Sequence, residues 1–261
     1  LLILDGYTAN LPWEMLQADD EPLALQVQMV RQLSSMRFRR RVTTTISRTA
    51  CVIANPLTTD FFRKFPSYDP NPEIKDGDKS LASLSGATDE GLQVADLLER
   101  NDYIVERCMP AAPEDAPYNT ALDVFNTLFK RPYRILMIAA HGEVNLKGAD
   151  GKYRTGVILS DGTLLTAAEV SQMEEIPDLV FLNCCHLATI SGTKDVNYNQ
   201  LAYSISRELI EMGVRCVIAA GWAVDDAAAC TFSTTFFEHF ITKQQSFGLA
   251  VYEARRQTRL L

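Results

Sequence analysis

Four short apolar runs, separated by segments with helical patterns, constrain the fold of this chain more than any other feature. The runs are Thr49–Ala54, Tyr133–Ala140, Leu179–Leu182 and Arg215–Trp222. Continuous apolar strands that alternate with helices are typical of a parallel sheet with both faces covered. We therefore predict an α/β fold with a mostly parallel central sheet and helices on both faces.

The segments between these runs predict the remaining elements. Alternating and apolar patterns indicate strands, amphipathic patterns indicate helices, and a Pro-, Asp-, Lys- and Ser-rich segment indicates an exposed loop. In chain order we predict a strand at Leu1–Leu4, a loop at Pro66–Ser85, a helix capped by Thr88, a strand at Tyr103–Cys108, a helix at Asn199–Met212 ended by Gly213, and helices at Thr231–Phe240 and Phe247–Arg259.

The charge of the chain argues against a nucleic-acid binder. Its 261 residues carry a net charge of −8 and give a pI of about 5.0. Such a surface repels phosphates, so we expect no direct binding to nucleic acid. The arginines between Arg37 and Arg41 are a local exception, which is interpreted as a solvated helix face or as a docking site for a partner.

The cysteines and apolar runs indicate the compartment. Six cysteines are present, two of them adjacent, which differs from the spaced framework of a secreted disulfide protein. No CxxC pair occurs and only three histidines are present, so we expect neither a metal nor a cofactor. Without a long apolar run or a signal segment, we expect a cytoplasmic protein that does not bind a membrane. Because the chain begins at Leu1, inside a predicted strand, we expect a piece of a longer protein.

His141 and Cys185 each come just after a predicted strand. In parallel sheets ligands bind at the carboxyl ends of the strands, so the two side chains meet if their strands are neighbours. A cysteine nucleophile needs a thiolate, and an imidazole beside it can stabilise that thiolate or protonate a leaving amine. Cys184 is the alternative nucleophile, but strand alternation turns it to the other side of the sheet, where it would pack in the core.

Six motifs in chain order carry a family resemblance. They are Leu11-Pro12-Trp13-Glu14-Met15-Leu16, Leu84-Ser85-Gly86-Ala87-Thr88-Asp89-Glu90, Ile138-Ala139-Ala140-His141-Gly142, Gly156-Val157-Ile158-Leu159-Ser160-Asp161-Gly162, Phe181-Leu182-Asn183-Cys184-Cys185, and Val217-Ile218-Ala219-Ala220-Gly221-Trp222. With them the chain resembles the CHAT domain, a caspase-like module, and more distantly the separases and metacaspases. The spacing of 44 residues (185 − 141) is close to the roughly 50 of the caspase signature.

The resemblance implies a caspase-like three-layer sandwich and peptide-bond hydrolysis. It makes His141 and Cys185 the catalytic dyad, and the backbone N–H groups of Gly142 and Cys185 would hold the oxyanion. Residues 1–110 would be a degenerate, non-catalytic part, and residues 111–261 the catalytic part. Such a protease would cut selected protein substrates in regulated proteolysis or bacterial defence, under the control of a sensor segment or a partner protein.

Candidate substrate-binding residues follow the same resemblance. Metacaspases carry an acid two residues before the nucleophile, where this chain has Asn183. Separases place an acid after the Trp-containing strand, and Asp226 matches that position best. Asp225 and Asp226 would then bind a basic side chain, or else cap the next helix. Trp222 would wall the substrate pocket or belong to the core.

Two other functions stay open. A catalytically inactive caspase-like scaffold would bind a partner chain through the same fold, although both dyad residues are present in this sequence. A thiol acyltransferase or esterase would use the same dyad on a different substrate. His186, next to Cys185, is interpreted as orienting its loop, and His239 as a plain surface or half-buried residue.

Overall fold

The structure is a computed structural model that describes residues 1–5, 8–9, 11–34, 42–69, 79–148, 150–184, 198–220 and 224–261. Its strands are β1 (Leu2–Leu4), β2 (Gln17–Ala18), β3 (Glu21–Pro22), β4 (Arg31–Leu33), β5 (Thr49–Ala54), β6 (Ile104–Cys108), β7 (Ile135–Ala139), β8 (Gly142–Lys147), β9 (Tyr153–Ile158), β10 (Leu164–Leu165), β11 (Leu179–Asn183) and β12 (Cys216–Ala219). Its α-helices are α1 (Leu23–Gln26), α2 (Phe61–Lys64), α3 (Ser85–Arg100), α4 (Ala121–Leu128), α5 (Ala167–Val170), α6 (Tyr198–Met212), α7 (Asp226–Phe237) and α8 (Phe247–Thr258).

Five parallel strands form the central sheet in the order β12-β11-β7-β5-β6. All six residues of β5 and all five of β7 are buried. This burial explains why their sequences are continuously apolar, because neither face of these strands meets water.

Helices cover both faces of the central sheet. On one face α3, α7 and α8 pack against Val52, Met137 and Phe181. On the other face α4, α5 and α6 pack against Ile53 and neighbouring apolar residues of the sheet. The three layers confirm the predicted α/β sandwich with a parallel central sheet.

Smaller sheets flank this sandwich. Strands β8, β9 and β10 form an antiparallel sheet directly after β7. Near the start of the chain, β1 pairs in parallel with β4, and β2 pairs with β3. The β1–β4 pair packs against Tyr203 and Ile210 of α6. Glu14 forms ion pairs with Arg31 and with Arg255 of α8, which ties this first segment to the helical layer.

The bounds of α3, β12 and α7 differ from those that we predicted. Helix α3 begins at Ser85, so Thr88 lies inside its first turn and does not cap it. The Thr88 Oγ1 instead accepts a hydrogen bond from Asn55 Nδ2 at 3.0 Å. Strand β12 is shorter than the apolar run Arg215–Trp222, and residues 221–223 lie outside the described part. Helix α7 begins at Asp226 and continues into a π-helical turn at Glu238–Thr242.

The predicted loop Pro66–Ser85 also needs correction. Pro66–Tyr68 is a 3₁₀ turn, and Lys79 and Leu81 are buried. Main-chain hydrogen bonds and one ion pair hold residues 79–84, so their polar composition does not leave them exposed as a whole.

Other expectations have different outcomes. Gly213 ends α6 with a φ of +116°, a conformation that favours glycine, as predicted. Among the described residues, none of the helices combines the length and the apolar character needed to cross a membrane. The proposed division near residue 110 stays a prediction.

Candidate active site

The carboxyl ends of β7 and β11 lie side by side in the central sheet. The two strands are parallel neighbours, with Ala139 paired to Asn183. His141 follows Ala139 by two residues, and Cys185 follows Asn183 by two residues. The condition under which the two side chains would meet, that their strands are neighbours, is therefore met. Cys185, His186 and Trp222 themselves lie outside the described residues.

The ring of His141 is held by a main-chain carbonyl. His141 is 6% exposed, and its Nε2 lies 2.7 Å from the carbonyl oxygen of Ala82. A carbonyl can only accept a hydrogen bond, so Nε2 carries a proton and donates it. In the neutral ring the lone pair is then on Nδ1, which makes Nδ1 the nitrogen that can take up a proton.

Ala82 belongs to a segment, residues 79–84, that we call the strap. Its main chain is fixed at three points: Phe62 N–H donates to Lys79 O at 2.9 Å, Leu81 N–H donates to Thr58 Oγ1 at 2.9 Å, and Leu84 N–H donates to Asn55 Oδ1 at 2.9 Å. These bonds fix the main chain on both sides of Ala82 and thereby orient the His141 ring.

Side chains hold the strap as well. Asn55 Nδ2 donates to Ser83 Oγ at 3.1 Å and to Thr88 Oγ1 at 3.0 Å. At the start of the strap, Lys79 Nζ lies 2.6 Å from Asp69 Oδ2, in an ion pair whose side chains are only 9% and 8% exposed. The strap is therefore anchored by buried polar contacts at both of its ends.

The end of β11 is held differently. Asn183 is 4% exposed, and its Nδ2 donates to Oε2 of Glu90 in α3 at 2.7 Å. Glu90 is 1% exposed. Asn183 Oδ1 and Glu90 Oε1 are both buried and have no hydrogen-bond partner among the described residues.

Burial raises the pKa of Glu90 from its ordinary value of 4.5 to about 7. Interactions with Asn183 and with the Ser233 hydroxyl favour the carboxylate, whereas the negative charge of Asp226 opposes it. Burial is the largest of these causes because a low-dielectric surrounding disfavours the charged form.

Cys184 lies in the core beneath the site. It is buried with the apolar residues on the α4–α6 face, and its Sγ is 3.8 Å from Ile138 O. Asn183 reaches α3 on the opposite face of the sheet. The two neighbouring residues therefore alternate across the sheet, as predicted for Cys184.

Asp225 and Asp226 have different surroundings. Asp225 is the N-cap of α7: its Oδ1 accepts hydrogen bonds from the N–H groups of Ala227 at 2.9 Å and Ala228 at 3.4 Å. Asp226 is the first residue of α7 and packs against Gly86 of α3. A Cβ atom on Gly86 would lie 2.3 Å from Asp226 Cγ, so this approach requires glycine. The capping interpretation therefore holds for Asp225, while a role of either acid in substrate binding stays a prediction.

A cavity of about 580 Å³ extends from the end of β11 along the edge strand β12. Glu90 and Asn183 line one part of it, together with Phe232 and the residues 217–220. Its volume lies within the range of small-molecule and peptide-side-chain pockets. Gly142 is buried at the start of β8, and its assignment to the oxyanion hole stays a prediction.

Sequence reasoning missed Asn55, Ala82 and Glu90. Glu90 closes the quoted motif Leu84–Glu90, so its position was available, but a helical glutamate usually faces solvent. Ala82 acts through its carbonyl, which leaves no sequence signal.

In the described part of the chain, no group of three or more His, Cys, Asp or Glu side chains could hold a metal ion.

Comparison with protein-family models matches the chain to the CHAT domain over residues 1–260. Searches among curated proteins and among solved structures gave no match.

Proposed function

Because the chain belongs to the CHAT domain family, which is related to caspase-like cysteine peptidases, we propose that it is a cysteine endopeptidase with His141 and Cys185 as its dyad. One observation carries the proposal: His141 and the residues that lead into Cys185 follow the carboxyl ends of adjacent parallel strands. The Ala82 carbonyl supports it further, because it fixes the tautomer of His141 that base catalysis through Nδ1 requires.

In the proposed reaction the Cys185 thiol transfers its proton to His141 Nδ1, and the thiolate attacks the scissile carbonyl carbon. The N–H groups of Gly142 and Cys185 hold the oxyanion. His141 then gives its proton to the leaving amine as the C–N bond breaks, which leaves a thioester. Water, deprotonated by His141, attacks the thioester, releases the acid product and restores the thiol.

The substrate is proposed to be a selected protein that binds as an extended segment in the cavity beside β12. Asp226 and Asn183 would contact a basic side chain, with Trp222 as a wall. Asp225 would contribute mainly by holding the first turn of α7, since its carboxylate already caps that helix. A sensor segment or partner protein would control access to the site.

The test is peptide cleavage by the full-length protein against a pooled peptide library. The variants are Cys185→Ala and His141→Ala, with Cys184→Ala and His239→Ala as matched controls. We expect His141→Ala to lose about 100- to 10,000-fold in rate, since general acid–base catalysis contributes that much. Cys185→Ala, which removes the nucleophile, should lose at least as much. The controls should retain cleavage, because Cys184 is a core residue and His239 bonds only to Gln245 and Lys243 among the described residues.

Two results would contradict the proposal. Cleavage by Cys185→Ala at the wild-type rate would exclude the dyad. Failure of the wild type to react with an activity-based thiol probe under every activating condition would favour the inactive scaffold. Mapped cleavage after Arg or Lys that weakens in Asp226→Asn would support the basic specificity.

A further inference from the structure

Glu90 and Asn183 form a buried pair with complementary hydrogen-bonding groups. One bond, from Asn183 Nδ2 to Glu90 Oε2, is present at 2.7 Å. The two oxygens that remain, Glu90 Oε1 and Asn183 Oδ1, are acceptors without a partner among the described residues. The Ser233 hydroxyl interacts with the Glu90 carboxyl group, but it donates to Cys230 O at 3.1 Å, and Glu90 Oε1 has no hydrogen-bond partner among the described residues. Two unsatisfied buried acceptors in one contact are costly, and the great majority of buried polar atoms avoid this state.

A single proton on Glu90 would satisfy both atoms. A protonated carboxyl group offers one O–H donor and keeps one acceptor, and a primary amide offers the reverse arrangement. We propose that Glu90 is a positioning residue for the proposed dyad, and that it holds Asn183 as a neutral acid–amide pair with two hydrogen bonds. The second bond runs from Glu90 Oε1–H to Asn183 Oδ1. This inference rests on the proposed function, because the residue that it positions leads directly into Cys185.

The surroundings of Glu90 favour the neutral form. From α7, Asp226 adds a negative charge, and Cys230 adds a thiol whose pKa burial raises to about 11, so it stays uncharged. From β11 the contact is the Asn183 amide, and at the end of β7 the His141 ring bonds to Ala82 O. No cation among the described residues acts on Glu90 to favour its charged form.

The pair gives the end of β11 a connection that depends on pH. Below the pKa of Glu90, about 7, both hydrogen bonds can form. Above it, Glu90 loses the Oε1 proton, one bond is lost, and two buried acceptors face each other. Asn183, two residues before Cys185, is then held by one bond only.

The first test is chemical denaturation of the full chain between pH 5 and 9. Glu90→Gln is the informative variant, because its side-chain amide can donate to Asn183 Oδ1 and accept from Nδ2 at every pH. The folded state raises the pKa of Glu90, so the contribution of this group to wild-type stability falls as pH rises from about 4.5 to about 7 and is constant above. We expect the folding equilibrium of the wild type to fall relative to Glu90→Gln by on the order of 100-fold across that window. The control, Asp89→Asn, should follow the wild type.

The second test is the ratio of kcat between Glu90→Gln and the wild type as a function of pH. We expect a ratio near one below pH 6 and a rise above pH 7, because only the wild type then loses its second bond to Asn183. A stability difference that does not vary with pH would overturn the protonated pair. A pH-dependent stability difference with a flat kcat ratio would overturn the positioning role. If the wild type cleaves no peptide at all, the proposed His141–Cys185 dyad is wrong. The denaturation result still decides whether Glu90 carries the proton.

Discussion

The two strand ends that form the site are held by different chemistry. At the end of β7, His141 bonds to a main-chain carbonyl in a strap whose N–H and C=O groups are anchored to Phe62, Thr58 and Asn55. At the end of β11, Asn183 is held by one carboxyl group that can gain or lose a proton. Main-chain groups do not titrate near neutral pH, so the Ala82 carbonyl can hold His141 Nε2–H whether or not Nδ1 is protonated. The contact that holds Asn183 depends instead on a carboxyl group whose pKa is raised to about 7.

The largest expected effect on stability tests the His141 end of this comparison. It comes from loss of the buried ion pair that anchors the strap. Lys79→Met removes the ammonium group that pairs with the buried Asp69 carboxylate. We expect the free energy of unfolding to fall by about 3–5 kcal/mol. Replacing both residues, in Lys79→Met with Asp69→Leu, should restore most of that stability because no charge is then left buried. Denaturant midpoints measure both changes.

The exposed pair Arg154–Asp150 provides the matched control, since both side chains are 44% exposed. Arg154→Ala should leave the midpoint unchanged, because exposed ion pairs contribute little. Equal effects of Lys79→Met and Arg154→Ala would show that the strap does not depend on its ion pair.

A smaller effect is expected at Asn55. Asn55→Leu removes the acceptor of the Leu84 N–H and the donor to Ser83 and Thr88. Each buried polar group left unsatisfied should cost about 1–3 kcal/mol in the free energy of unfolding. Because these groups orient Ala82, kcat for peptide cleavage should fall more than KM changes.

Asn55 also has a φ of 47°, which disfavours a branched side chain. Asn55→Gly accepts this conformation and lacks the hydrogen bonds, so it separates the two causes. If Asn55→Gly retains wild-type kcat and stability, the side-chain bonds of Asn55 contribute nothing to the strap.

The smallest effect concerns α7, whose first turn lies beside the Asn183 end. Asp225→Ala removes the N-cap, and we expect a loss of about 1 kcal/mol in the free energy of unfolding. Peptide preference should stay as in the wild type, because the Asp225 carboxylate already bonds to Ala227 and Ala228. Asp225→Asn, which can still cap, is the control. A change in cleavage preference with unchanged stability would assign Asp225 to substrate binding instead.

The elements that sequence analysis predicted well are those governed by burial. Strand β5 matches its predicted bounds because both faces of Thr49–Ala54 are covered, which makes the whole run apolar. The adjacency of β7 and β11 was a condition of the predicted site and not a prediction, and the structure meets that condition.

The missed features depend on partners that are distant in sequence. Asn55 binds the Leu84 N–H just before α3, and Thr58 and Phe62 fix the strap. Glu90 is covered by Asn183 and α7. A helical glutamate and a Pro- and Asp-rich loop carry no local signal of such burial. Cys185 itself lies outside the described residues.

The order of strands in the central sheet also sets the order in which the site can assemble during synthesis. Strand β7 pairs with β5, and the strap lies between them in the chain, so the strap contact of His141 uses only residues that precede it. The Asn183 end needs β11 and then α7, which begins only at Asp226. Parallel pairing between distant segments is slow, since loop closure precedes the gain from contacts. A growing chain can therefore form the strap contact of His141 before it can form the surroundings of Asn183.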